Sequence, residues 1–221
     1  MPHDHDENHV HNLLPAEPAL RVKALETILL EKGLLDQQAV DAIIDEYEQR
    51  IGPHIGAKIV ARAWNDPAFK SMLLADSEAV LREEGHAGRQ GEHVVVVENT
   101  NKVHNLVVCT LCSCYPWPLL GVPPAWYKSD AYRSRAVSEP RRILSEFGLD
   151  ISKSQSVRVW DSTAEIRYLV LPMQPKESVG LPAPELAKWV TRNSMIGTGL
   201  PQRPEGNRSE ERRVGKECRS R

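Results

Sequence analysis

The first half of the chain alternates in periods of three and four. From Glu17 to Lys32 the apolar residues Leu20, Ala24, Leu25, Ile28 and Leu29 fall on one face, which predicts an amphipathic helix closed by Gly33. Asp36 is placed to cap a second helix striped by Val40, Ile43, Ile44 and Tyr47. Gly52-Pro53 breaks that stripe, and Pro53 to Trp64 reads as a third helix. Asp66-Pro67 opens a short fourth, as an N-cap followed by a first-turn proline. Ser77 to Glu84 makes a fifth, ended by Gly85.

After the loop 85–91 the period drops to that of strands. Val94 to Val97 and Val103 to Val108 are β-branched runs joined by the polar turn Asn99-Thr100-Asn101. Pro116, Pro118, Pro123 and Pro124 then exclude regular structure. A helix is expected from Ser138-Glu139-Pro140 to Phe147, strands over Val157–Trp160 and Ile166–Leu171, and a last helix over Pro184–Thr191. Helices first and strands later give an α+β chain. The expected organisation is a disordered His-rich leader (1–16), a helical arm (17–84), a layered α/β/β/α domain with mixed sheets (85–204), and a disordered, non-native tail (205–221).

Composition narrows the function. A net charge of -2 does not favour nucleic acid, and no apolar run approaches the ~18 residues of a membrane span. The N-terminus lacks the basic start and apolar stretch of a signal peptide, so a cytoplasmic, reducing location is expected, where clustered cysteines serve metals or catalysis rather than disulfides. His3, His5, His9 and His11 are read as part of the leader rather than as a metal site. Residues 206–221 hold six basic and three acidic residues and Cys218, with no period.

Chemistry concentrates where the second strand ends, in Cys109-Thr110-Leu111-Cys112-Ser113-Cys114. Three soft ligands in six residues suit one metal ion. A structural zinc site wants four closed ligands, and His54, His86, His93 and His104 offer no paired spacing to complete it. A redox dithiol would open a helix, whereas this run leads to prolines. Three inert buried cysteines so close together would be unusual packing.

These residues resemble the metal-binding motif of the nitrile hydratase α subunit. The resemblance extends over roughly residues 17–204. It includes Val95 to Thr100, Tyr115-Pro116-Trp117-Pro118, Pro123 to Lys128, Tyr132-Arg133-Ser134-Arg135, Val159-Trp160-Asp161 and Ser194 to Pro201. It implies a non-corrin Co(III) centre, with Fe(III) as the alternative. The ligands would be the sulfurs of Cys109, Cys112 and Cys114 and the deprotonated amides of Ser113 and Cys114. Thr110 and Tyr115 resemble the cobalt type. Cys112 would be a sulfinic and Cys114 a sulfenic acid, the second and first rungs of thiol oxidation. The activity implied is hydration of a nitrile to an amide, with a β subunit as partner and an activator protein loading the metal. Gln90, Trp117, Asp161, Glu165 and Arg167 match active-site or supporting positions. Read alone, Gln90 is a loop glutamine, Trp117 equally a packing residue, and the charged trio a surface ion-pair group. The cobalt subunit of thiocyanate hydrolase is the alternative enzyme, and a thiolate–zinc protein the alternative from another class.

Overall fold

The computed structural model describes residues 17–45, 51–86 and 93–204. The leader, Tyr47, Gln90 and the tail from residue 205 lie outside them. The chain divides into two units between Glu46 and Tyr47.

The first unit carries α1 (Glu17–Glu31) and α2 (Gln37–Asp45). Gly33, at φ +64°, closes α1 by a turn in which its N–H donates to Leu30 O and Leu34 N–H to Leu29 O, a geometry that costs glycine little. Asp36 caps α2 through its side chain to Gln38 N. The stripe residues Leu20, Leu25, Ile28 and Leu29 are exposed.

The second unit begins with α3 (Pro53–Asn65), α4 (Pro67–Ala75) and α5 (Ser77–Glu83). Asp66 Oδ1 accepts from Ala68 N and Phe69 N, both at 3.0 Å, as the Asp66-Pro67 pair predicts. The buried Ile59, Val60, Phe69 and Leu73 put these helices into the same core as the strands. Ser77 Oγ donates to Leu73 O and accepts from Val96 N, which ties α5 to the first strand. The expected arm over 17–84 is therefore divided: its last three helices are core elements of the second unit.

The α+β class is what the structure shows, but in place of mixed sheets the described strands form two parallel pairs. β1 (His93–Glu98) pairs with β4 (Ile166–Leu171), and β2 (Val103–Val108) with β3 (Ser156–Asp161). Partner strands are far apart in sequence, which leaves room for the crossovers that parallel pairing needs. Between them run α6 (Trp117–Leu120), a 3-10 turn (Ala125–Lys128), α7 (Asp130–Ser138) and α8 (Pro140–Glu146). After β4 come a 3-10 turn (Lys176–Ser178), α9 (Ala183–Ala187) and α10 (Arg192–Ile196).

β2 is buried along nearly its whole length although it contains His104 and Asn105. Both are paid for in hydrogen bonds. His104 Nε2–H donates to Gly197 O at 2.7 Å, and Nδ1 faces the Asn99 amide at 3.3 Å. Asn99 Oδ1 accepts from Asn105 N, and Asn105 Oδ1 accepts from Trp160 Nε1. This satisfied network joins β1, β2, β3 and α10 behind the strand that delivers the cysteines.

Candidate metal centre

The register of the β2–β3 pair builds the site. Val108 lies opposite Asp161, so Cys109 leaves β2 beside the end of β3, beyond the carboxyl ends of a parallel pair. Ser162 N–H donates to Val108 O at 2.7 Å and holds the two ends together. Asp161 then takes the next residue: Oδ1 accepts from Thr110 N at 2.9 Å and Oδ2 from Thr110 Oγ1 at 2.6 Å. The chain bends through Thr110–Cys112 and continues without regular structure to Pro116, the N-cap of α6.

Within this bend the three sulfurs lie within 4.8 Å of one another. Cys109 Sγ and Cys112 Sγ are 3.5 Å apart, and Cys112 Sγ and Cys114 Sγ 3.1 Å. Two sulfurs at about 2.3 Å from one ion and at right angles about it would stand about 3.3 Å apart, so the spacing fits adjacent ligands of a single metal. Cys109 is fully buried, Cys112 exposed and Cys114 between the two.

The thiols are electrically unlike. The Cys112 thiol is drawn down to about 7, first by the hydrogen bond from Cys114 and then by Cys109 and the backbone N–H groups of Ser113 and Cys114. Burial pushes the Cys114 thiol up to about 12, with the hydrogen bond it gives to Cys112 adding to the rise and the Arg167 guanidinium opposing it. The donor set the structure shows is thus three sulfurs close enough to share one ion.

The 3-10 turn Ala125–Lys128 and α7 hold the loop from outside. Tyr127 OH donates to Cys114 O at 2.9 Å, and Tyr132 OH to Val107 O at 2.7 Å. Arg133 Nη1 donates to Cys112 O at 3.0 Å and Leu111 O at 3.3 Å. None of these three was assigned a role from sequence. Tyr127 stands in the Pro123 to Lys128 match and Tyr132 and Arg133 in the Tyr132-Arg133-Ser134-Arg135 match, and that was the available signal.

The other expected residues divide. Asp161 is at the site, bonded to Thr110. Arg167, 9% exposed on β4, keeps Nε and Nη1 buried without a partner and bears electrically on Cys114. Glu165 is exposed in the β3–β4 turn, and among the described residues no ion pair joins it to Asp161 or Arg167. Trp117 opens α6 and is 40% exposed. Gln90 lies outside the described residues. Among the described residues no histidine or carboxylate completes a zinc site, and His104 spends its ring nitrogens on Asn99 and Gly197. The full burial of Cys109 also argues against thiol exchange.

Comparison with known proteins agrees with this geometry. Residues 16–199 match the family described as nitrile hydratase, alpha chain. The low-molecular weight cobalt-containing nitrile hydratase subunit alpha of Rhodococcus rhodochrous is 53% identical over 200 residues, covering 89% of this chain and 97% of that one. Thiocyanate hydrolase subunit gamma of Thiobacillus thioparus is 35% identical over 190 residues, covering 81% of this chain and 78% of its own. Among solved structures, an Fe-type nitrile hydratase double mutant from Comamonas testosteroni Ni1 superposes with a TM-score of 0.77 at 38% identity, covering 86% of this chain and 94% of that one. The chain belongs to the nitrile hydratase α-chain family.

Proposed function

We propose that the chain is the metal-binding α subunit of a cobalt nitrile hydratase, adding water across a nitrile to give the amide. The observation that carries this reading is the triangle of Cys109, Cys112 and Cys114 sulfurs. Together with the Ser113 and Cys114 amide nitrogens, these sulfurs would hold a non-corrin cobalt(III), which when bound would supply Lewis acidity toward the nitrile. Cys112 is carried as the sulfinate and Cys114 as the sulfenate. The exposed Cys112 and half-buried Cys114 are open to that oxidation, while buried Cys109 is shielded and stays a thiolate.

Residues of this chain do the positioning. Asp161 fixes the entry of the loop through Thr110. Arg167 places positive charge beside Cys114 and favours its anionic forms. The nucleophile is the Cys114 sulfenate oxygen or a water it orients. Trp117, partly exposed just after the claw, lines the substrate space, and Gln90 hydrogen-bonds substrate or water. Glu165 stands further out, in support of the β3–β4 turn. Residues 85–204 make up the catalytic part of the chain.

A β subunit covers the claw and supplies cations to the oxidised sulfurs, in one αβ unit or a pair of them. The exposed Leu111 at the loop tip and the uncovered stripe of α1 support such a partner. An activator protein loads the cobalt in the cytoplasm. Among the described residues no helix is long and apolar enough to cross a membrane.

Co-expression with the β subunit tests the reading. Cobalt should be found in the chain, with two oxygens added to Cys112 and one to Cys114 in the peptide mass. Nitriles should yield amides, and Cys114→Ala should abolish that activity in a soluble protein. Zinc with no added oxygen would sink the enzymatic reading, and carbonyl sulfide from thiocyanate without amide from nitriles would move it to the thiocyanate hydrolases.

A further inference from the structure

Arg133 projects from α7 onto the outside of the claw. Its Nη1 donates to Cys112 O at 3.0 Å and to Leu111 O at 3.3 Å. Cys112 O is the carbonyl of the peptide whose nitrogen is that of Ser113. The guanidinium therefore sits on the oxygen end of the peptide unit whose nitrogen the cobalt-centre reading gives to the metal. Its other contact is Asp130, through Nη2 to Oδ1 at 2.6 Å. That carboxylate is 95% exposed, so solvent screens it and leaves most of the guanidinium charge to the carbonyl side. The Nε of Arg133 is buried with no partner. A cation whose donors are incompletely used is held here by its place against the loop.

A peptide nitrogen that gives its electrons to a metal shares the resulting negative charge with its carbonyl oxygen, through the same resonance that keeps the peptide planar. A charged donor on that oxygen stabilises the anionic form more than the neutral one. The claw as a whole needs such help. Three thiolate-derived sulfurs and two deprotonated amides set five negative charges against the three positive charges of the ion. Arg133 also restrains the Leu111 and Cys112 carbonyls together, which fixes the plane of the Cys112–Ser113 peptide before any ion arrives.

We infer that Arg133 is the positioning residue that aims the Ser113 amide at the metal and carries the counter-charge for its peptide oxygen. The inference rests on the cobalt-centre reading above. It gives Arg133 a role in how tightly the metal is held, separate from contact with substrate.

The test compares the wild-type chain with Arg133→Gln, Arg133→Lys and Asp130→Asn, each co-expressed with its β subunit and supplied with cobalt. Cobalt per chain, the half-time of cobalt loss to EDTA, and the position of the sulfur-to-cobalt charge-transfer band are read. The thermal midpoint of the metal-free protein reports folding. Removing a partner of a ligand group typically weakens metal binding by about 10–100-fold. Arg133→Gln should lose cobalt at least about tenfold faster than wild type with a shifted band. Arg133→Lys should fall between the two, because it restores charge without the fork. Asp130→Asn should hold cobalt at least as long as wild type. A purely structural role would instead lower the metal-free midpoint and leave the band in place. Wild-type half-time and band in Arg133→Gln overturn the inference while leaving the cobalt centre standing. If Arg133→Gln is insoluble, wild-type retention and band in Arg133→Lys overturn it equally. A wild-type chain that takes up no cobalt removes both readings.

Discussion

Asp161 holds Thr110 by both carboxylate oxygens, one on the backbone N–H and one on the hydroxyl. The last residue of β3 thereby fixes the second residue of the claw, and the strand register becomes the geometry of the sulfurs. Thr110→Ser keeps both hydrogen bonds and should match wild type in urea midpoint and cobalt retention. Asp161→Ala loses both and should cost about 1–3 kcal/mol, since its partners are bonded to a charged acceptor near solvent. Equal midpoints for Asp161→Ala and wild type would show that the loop is set by other contacts.

The metal-free claw should react unevenly with alkylating reagent. Cys112 is exposed and its thiol is drawn down to about 7, whereas burial pushes Cys114 up to about 12 and Cys109 is fully enclosed. Thiolate is the reactive form, so near neutral pH iodoacetamide should label Cys112 before the other two. Timed peptide mass spectrometry reads the order. Labelling of Cys109 or Cys114 ahead of Cys112 would contradict the described arrangement.

Much of this arrangement was legible in the sequence, for identifiable reasons. The helices α3 to α5 and all four strands carry strong periods or caps, and Asp66 caps α4 as its spacing foretells. α7 was not foreseen. Its segment Asp130–Ser138 has only Tyr132 and Ala136 buried, too few for a stripe, and its start is marked chiefly by the Ser129 cap. With α7 unread, Arg133 and Tyr132 had no placement. Pairing was equally hidden, because strands joined by a four-residue turn commonly form a hairpin, whereas β1 and β2 here go to different parallel pairs. The sulfurs declared themselves by spacing. The side chains that brace the loop lie between 13 and 51 residues further along the chain from the residues they hold and meet them only in the fold.

Stability should fall on mild acidification, partly through His104. Burial lowers its pKa below the ordinary 6.5, so the folded chain keeps it neutral while the unfolded chain takes up a proton. The folded state is therefore favoured above about pH 6.5 and loses that advantage as pH falls below it. His104→Gln keeps a donor toward Gly197 O without a titrating ring. Its urea midpoint should change less between pH 7.5 and pH 5.5, values chosen about one unit either side of the ordinary histidine pKa. An unchanged pH slope in the variant would place the acid sensitivity elsewhere.

Gly197 tests the same network from the other side. It follows α10 at φ +93°, and its carbonyl accepts from His104. A Cβ there would stand 2.0 Å from Asn105 O and 3.0 Å from Leu106 Cα, both backbone atoms of β2. No side-chain rotation relieves such a contact, so Gly197→Ala must push α10 off the strand or distort the strand itself. Backbone strain of about 1–3 kcal/mol adds to the collision. The expected cost is about 4 kcal/mol or more, a range kept for disrupted cores. Because β2 leads directly into Cys109, the surviving folded fraction should also lose cobalt faster than wild type. Gly33→Ala is the control for strain alone, with φ +64° but nothing within 4 Å of the added carbon. Its cost should stay near 1 kcal/mol with cobalt retention unchanged. Equal losses in the two variants would mean that the close approach of α10 to β2 contributes nothing to the claw.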